Sequence, residues 1–393
     1  MLDLILLVDS LHPPLTGIGR YTYELTRRLQ GCDEITLMRY FSMGRWIQDP
    51  LSELTVKLRN SANTRGANDT VSFRSRMARN RMIVRAYSTI SPALFGWQLR
   101  GNRKSILHSP NFSLPPFSGK SVSTVHDLSH IIYPQFHPAA RVDFLNISLG
   151  PSLARADHVI TVSETVRQEM IERGLMPPDR VSAIHLAADS VYQPHSDDML
   201  QPAMEALGLT AGGYCLFVGT VEPRKNVERL IRAYGHLPAE LRRTWPLVVA
   251  GGKGWNSDAT HALMARGQEE GWLRYLSFVD QQWLPALYAG ARLMAYPSLY
   301  EGFGLPIVEA MASGTPVLTS SVSCMPEVAG GAARLVNPLD LDEMAYALQD
   351  CLANEIWRTE ARARGLARAA ALSWDRCAEQ TVDVYKRVQD SAI

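Results

Sequence analysis

The sequence predicts an α/β protein built from two doubly wound domains. Short β-rich apolar runs alternate with helical patterns along the whole chain, and the alternation restarts near its middle. At 393 residues the chain is also too long for one ordinary core and suits two domains of roughly 150–200 residues.

The elements follow in order. Residues 2–9 read as a strand, followed by a Gly/Pro loop and a helix over about 19–29. Further strands fit 105–108, 122–126, 158–162 and 181–185, and Ser163 with Glu164 opens a helix with Ser163 as its N-cap. The second series comprises strands at 214–218, 247–250, 273–278, 293–296, 316–319 and 333–336 with helical stretches between them. Residues 187–201, with Pro194, the pair Asp197-Asp198 and little periodicity, read as a linker. The expected organisation is therefore a first domain over 1–187, a second over 188–373 and a final helix over 374–393. The apolar positions of that helix, Trp374, Val382, Val384, Tyr385 and Val388, suit packing on either domain.

Composition excludes several classes. The chain is 46% hydrophobic and 20% charged, so it is globular rather than disordered or fibrous. A net charge of +1 and the lack of a recognition motif argue against nucleic acid as a partner. Apolar runs fall far short of a membrane span, and the N-terminus lacks the pattern of a signal peptide. The five scattered cysteines form no CxxC, which suits reduced thiols in a cytoplasmic protein. Charge is unevenly split. Residues 1–190 hold 22 Lys+Arg and 16 Asp+Glu, a net of 22 − 16 = +6, against 18 − 23 = −5 for the rest.

Four constellations can carry chemistry. Pro13-Pro14-Leu15-Thr16-Gly17-Ile18-Gly19-Arg20 follows the first strand, and its glycines let backbone amides approach an anion at a helix start. Thr22 stands where the third glycine of a dinucleotide fingerprint belongs, and a tight strand-to-helix turn explains the loop equally well. His126-Asp127 ends a strand, where ligands of open α/β sheets bind. His126 there can meet a substrate hydroxyl or be a satisfied interior histidine. Gly219-Thr220-Val221-Glu222-Pro223-Arg224-Lys225-Asn226 sends two cations from a turn into a helix, within reach of a phosphate, or simply flanks the turn with solvated charge. Glu301-Gly302-Phe303-Gly304-Leu305-Pro306-Ile307-Val308-Glu309 is the most specific string. Its first carboxylate sits in a Gly-rich loop and its second just inside a helix marked by Pro306. A carboxylate so placed can accept two sugar hydroxyls, with the amides of Phe303, Gly304 and Leu305 beside it; the plainer alternative is Glu309 as a first-turn dipole partner and Glu301 as a surface acid. Asp340-Leu341-Asp342 has the form of a metal-binding DxD but precedes a helix, so capping is the better reading. Gly251-Gly252-Lys253-Gly254 lacks the spacing of a P-loop.

These strings, with Ser313-Gly314-Thr315-Pro316-Val317 and Pro326-Glu327, resemble family 4 glycosyltransferases, retaining enzymes with the GT-B fold of two Rossmann-like domains facing a central cleft. The resemblance covers nearly the whole chain. It implies that the second domain binds a nucleotide-sugar, with Glu309 on the ribose hydroxyls and Arg224 and Lys225 on the diphosphate. Amides near Gly17 and Gly19 join the diphosphate when the domains close. Glu301 meets the donor-sugar hydroxyls, with the Phe303, Gly304 and Leu305 amides nearby, and His126 touches the sugar near the reacting carbon. The last helix would cross back to the first domain, which binds the acceptor. Many relatives carry an arginine directly after the glycine matching Gly219, where this chain has Thr220.

Fixed cations and amides can stabilise a departing diphosphate without a metal or other cofactor. The strings are most similar to bacterial enzymes that build mannose- or rhamnose-containing surface polysaccharides, such as lipopolysaccharide O-antigen, from GDP-sugars. A lipid-linked saccharide is the implied acceptor. A UDP-sugar enzyme, a sugar-nucleotide epimerase or phosphorylase on the same fold, and a non-catalytic sugar-binding protein are the alternatives. Residues 57–104 carry eleven Lys+Arg and one acid, interleaved with apolar and aromatic residues. That mixture suits an anionic lipid surface, which would place the protein at the inner face of the cell membrane. A solvated basic helix with a core-facing stripe is the plainer alternative.

Overall fold

The computed structural model describes residues 1–13, 15–63 and 94–391. Most of the basic segment, including Arg65, Arg76, Arg79, Arg81 and Arg85, lies outside the described residues. The chain divides into two compact units, Met1–Leu186 with Trp374–Ile393, and Ala187–Ser373.

The first unit holds a seven-stranded sheet of β1 (Leu2–Leu7), β2 (Ile35–Ser42), β3 (Arg45–Ile47), β4 (Ile106–Ser109), β5 (Ser121–Val125), β6 (His158–Thr161) and β7 (Val181–Ala183). Its order is β3-β2-β1-β4-β5-β6-β7, parallel except for the β2–β3 pair. Leu4, Ile5 and Leu6 of β1 are fully buried, each contributing about 1.5–3 kcal/mol of apolar burial. The sequence reading omits β2 and β3. They are joined by Met43 and Gly44, both at positive φ (46° and 81°), a two-residue hairpin turn made without the usual Asn-Gly signal. Asp9 Oδ1 secures that turn by accepting the Met43 N–H at 2.7 Å and the Ser42 hydroxyl at 3.1 Å.

The final helix, Trp374–Asp390, is part of this unit. Trp374, Val382, Val384, Tyr385 and Val388 are all buried. Tyr385 Oη lies 2.6 Å from His108 Nδ1, and His108 Nε2 lies 2.9 Å from Thr124 Oγ1. Burial pushes His108 down to about 3, so its ring is neutral and the two hydroxyls share its nitrogens. Arg28 pairs with Asp375 at the start of the same helix.

The second unit holds six parallel strands, β8 (Cys215–Val218), β9 (Leu247–Ala250), β10 (Leu273–Ser277), β11 (Leu293–Tyr296), β12 (Val317–Ser320) and β13 (Arg334–Val336), in the order β10-β9-β8-β11-β12-β13. Each sheet reverses its winding once, at β1/β4 in the first and β8/β11 in the second. Those carboxyl-end crevices are where open α/β sheets bind ligands.

Two sequence expectations change. The stretch read as a linker contains the first turn of a helix, Asp197–Leu207, so Asp197 and Asp198 are first-turn acids that complement the helix dipole. Pro202 inside the helix masked its periodicity. The first helix begins at Gly17 rather than Gly19, because Thr16 is its N-cap. Ser163 Oγ caps the helix Glu164–Glu172 by accepting the Val166 N–H at 3.3 Å. Asp340 Oδ1 caps Leu341–Ala353 by accepting the Asp342 and Glu343 N–H groups at 3.1 and 2.9 Å. Among the described residues no helix is long and apolar enough to cross a membrane.

Candidate active site

In the second unit, the loops after β8 and β11 stand on neighbouring strands at the point of reversal. The loop after β8 starts at a close crossing. A Cβ on Gly251, at the end of β9, would lie 2.0 Å from the Gly219 carbonyl oxygen, so only glycine fits there. The loop runs through a short 3₁₀ turn, Pro223–Lys225, into the helix Val227–Gly235. Asn226 joins them in the left-handed conformation, φ 60°, and its amide donates to the carbonyls of Pro297 and Pro338 at 3.0 and 2.8 Å. The Leu299 N–H donates to the Arg224 carbonyl at 2.8 Å, tying the two loops together.

The side chains of these loops form one buried ionic network. Arg224 Nη1 donates to Glu301 Oε2 at 2.7 Å and to the Tyr300 carbonyl at 2.8 Å, while Nη2 donates to Glu222 Oε1 at 2.8 Å. Lys225 Nζ donates to Glu301 Oε1 at 2.7 Å and also meets the Tyr296 hydroxyl, which lies 3.0 Å from the same carboxylate oxygen. Glu301 is only 6% exposed. Burial alone would raise its pKa, but the charges of Arg224 and Lys225 outweigh that and hold the carboxyl at about 2. Burial pulls Lys225 down from its ordinary value, against the opposing pull of Glu301. In this network two basic side chains, Arg224 and Lys225, face two acidic ones, Glu222 and Glu301. Residues read from the sequence as serving different parts of a donor are thus bonded to one another.

Glu309 stands on the helix Leu305–Ala312 and its Oε2 accepts the Tyr288 hydroxyl at 2.9 Å. Gly304, at φ 90°, is the turn that starts this helix, with Pro306 in its first turn and Phe303 buried beneath it.

The first unit carries the other two constellations. His126 follows β5, and its Nε2 donates to the Pro110 carbonyl at 2.9 Å, at the end of β4. Burial lowers its pKa, so the ring is neutral with its proton on Nε2, and Nδ1 is left as an acceptor. The Tyr21 ring packs edge-on against it with centroids 5.1 Å apart. Asp127 acts locally, its Oδ1 accepting the Ser129 N–H and hydroxyl at 2.9 and 2.6 Å. At the first helix, Thr16 Oγ1 accepts the Gly19 N–H at 3.3 Å. That leaves Gly17 and Ile18 to supply the first-turn amides. Gly19 sits in a tight place, since a Cβ there would lie 3.0 Å from the Ser10 carbonyl.

Two family models match the chain in succession, Glycosyltransferase Family 4 over residues 15–190 and Glycosyl transferases group 1 over residues 204–369. O-antigen chain mannosyltransferase B of Escherichia coli is 40% identical over 385 residues, 98% of this chain and all of that protein. The chain belongs to glycosyltransferase family 4. It is also similar to the E. coli serotype-specific mannosyltransferase WbdA, 31% identical over 282 residues, 70% of this chain and 34% of that longer protein. An Anabaena protein, HepE, solved in complex with UDP and glucose, superposes with a TM-score of 0.69 at 16% identity. The match covers 98% of this chain and all of that one. The fold is GT-B and the protein is a glycosyltransferase.

Several residues of this glycosyltransferase's site escaped sequence reasoning. Tyr296 is the last residue of a strand the sequence does reveal, and its place at the carboxyl end was the available signal. Glu222 and Asn226 belong to the recognised string but carried no assigned role. Ser323 and Cys324 gave no signal, because their contacts with Glu301 cross 22 and 23 residues of chain.

Proposed function

We propose that this glycosyltransferase moves a mannosyl residue from GDP-mannose to a lipid-linked saccharide during assembly of a cell-surface polysaccharide, with retention at the sugar carbon. The observation that carries this reading is the full-length similarity to an O-antigen chain mannosyltransferase.

The residue roles in this reading are those the family resemblance implies. Arg224 and Lys225 take the diphosphate, Glu309 the ribose hydroxyls, and Glu301 with the Phe303, Gly304 and Leu305 amides the donor sugar. Lys225 Nζ uses two of its three N–H groups on Tyr296 and Glu301, so one remains for a phosphate oxygen. Neutral His126 accepts a sugar hydroxyl at Nδ1. The acceptor oxygen attacks the sugar carbon as its bond to phosphate breaks, and the acceptor proton passes to the departing phosphate on the same face. The cations offset the charge that grows on that leaving group, with no resident cofactor. The first unit offers an acceptor a cavity of about 480 Å³ at the β1/β4 reversal. It is bordered by Asp9, Ser10, Pro110, Asn111 and Phe144, and the Pro110 carbonyl also bonds His126.

Thermal shift in the presence of EDTA tests the donor. A ligand at 100 times its dissociation constant adds about 2.7 kcal/mol, so GDP is expected to raise the melting temperature well above equimolar UDP or ADP. A larger shift with UDP or ADP overturns the guanine reading.

The basic segment 57–104 supports a further partner, an anionic membrane surface at the cytoplasmic face. Flotation with anionic liposomes is expected to be strong at low salt and lost at high salt, since each cation near such a surface contributes about 1 kcal/mol. Equal flotation with neutral vesicles counts against it.

A further inference from the structure

We infer that Ser323 and Cys324 are positioning residues that hold the Glu301 turn in its working shape. This turn lies between β11 and the helix Leu305–Ala312, where no strand or helix ladder fixes the backbone. Arg224 holds the segment just before it, at the Leu299 N–H and the Tyr300 carbonyl, and the residues that follow β12 hold the peptide groups of Glu301 itself. Ser323 Oγ accepts the Glu301 N–H at 3.2 Å and donates to the Glu301 carbonyl at 2.8 Å, so one hydroxyl closes both ends of a single residue. The buried Cys324 Sγ lies 3.1 Å from that same carbonyl and 3.2 Å from the Phe303 carbonyl, so its single S–H is shared between them. A thiol is a weak donor, so the hydroxyl is the main tether.

Ser323 does this from an unfavourable backbone. Its φ is 55°, in the left-handed region where a Cβ is crowded and glycine is relaxed. An outlier of this kind calls for a local reason, and here the side chain supplies it. Both bonds go to the residue whose carboxylate meets Arg224 and Lys225. Glu301 is therefore set from two sides, at its carboxylate by the ion pairs and at its peptide groups by Ser323. A displacement of about 1 Å in a group that meets the reacting sugar can cost on the order of a hundredfold in rate.

The inference rests on Glu301 contacting the donor sugar, and the test separates the two ideas. Ser323→Gly removes the hydroxyl and also relieves the backbone, whereas Ser323→Ala removes the hydroxyl and keeps the strain. Both variants are expected to lose about tenfold or more in turnover of GDP-mannose, with a smaller loss of GDP affinity. Only the alanine variant is expected to melt below wild type. In the ligand-free Ser323→Gly protein, amide hydrogen exchange across residues 297–306 is expected to quicken. Wild-type turnover in Ser323→Gly, or turnover that simply follows melting temperature across the two variants, would make Ser323 a folding residue and overturn the inference. Unchanged exchange in Ser323→Gly overturns it whatever the donor. Failure of the wild-type protein to turn over GDP-mannose counts against the proposed donor alone, and the exchange measurement still decides the tether.

Discussion

Glu301→Gln is expected to lower turnover at least a hundredfold in a protein that still folds. The amide keeps the size of the carboxylate and can still accept from Lys225 and Tyr296. It cannot balance two cations, and it cannot present a charged acceptor to sugar hydroxyls as positive charge develops on the ring. Losing one preorganised electrostatic contact of that kind typically costs about 10²–10³ in rate. The same substitution has a signature that needs no substrate. The Glu301 carboxyl is held at about 2, below its ordinary 4.5. A carboxylate depressed in the folded state contributes stability that is complete above the unfolded value and lost as acid is added toward the folded one. Wild-type unfolding midpoints in urea should therefore fall between about pH 4.5 and 2 with a component that the glutamine variant lacks. Wild-type turnover in the folded variant removes Glu301 from the reaction, and identical acid profiles remove it from the ion network.

How much of this was legible in the sequence depended on distance along the chain. The strands of the second unit were readable to within about a residue. Val248, Leu293 and Leu318, for example, lie in short apolar runs buried on both faces, and such runs stand out between helices. β2 and β3 were not. β2 interrupts its apolar residues with Thr36 and Arg39 and leaves Leu37 45% exposed, and β3 has only three residues. The charged strings were visible because each is local. Their pairing was not, since Arg224 and Glu301 are 77 residues apart and meet only because β8 and β11 are neighbours in a sheet whose order departs from chain order. Sequence reasoning assigned the cations to phosphate and the carboxylate to sugar. The geometry adds that each holds the other in place, so the two assignments are coupled.

That coupling makes Arg224→Ala the substitution with the largest expected effect on the folded protein. The guanidinium bridges Glu222, Glu301 and the Tyr300 carbonyl, and both acids are nearly buried, at 6% exposure each. Its removal leaves Glu222 without its ion-pair partner and Glu301 with Lys225 alone. Breaking a buried pair by deleting one partner typically costs about 3–5 kcal/mol, because the remaining charge stays desolvated. A marked fall in melting temperature is expected, and turnover should fall with it. Arg224→Lys separates the two effects. It keeps the charge but cannot span three acceptors from one planar fork, so stability should recover in part while binding does not. A charge-assisted bond to phosphate contributes about 1.5–3 kcal/mol, so calorimetry on the lysine variant should show GDP binding weakened roughly ten- to hundredfold. Lys225→Ala should weaken it similarly, and with less loss of stability, since among the described residues Lys225 pairs with one acid, Glu301. Combining Arg224→Ala with Glu301→Gln should restore part of the lost stability, since the second change removes a charge that the first left unpaired. Additive losses in that cycle would mean the two side chains do not support each other. GDP affinity unchanged in both Arg224→Lys and Lys225→Ala would place the diphosphate elsewhere in the molecule.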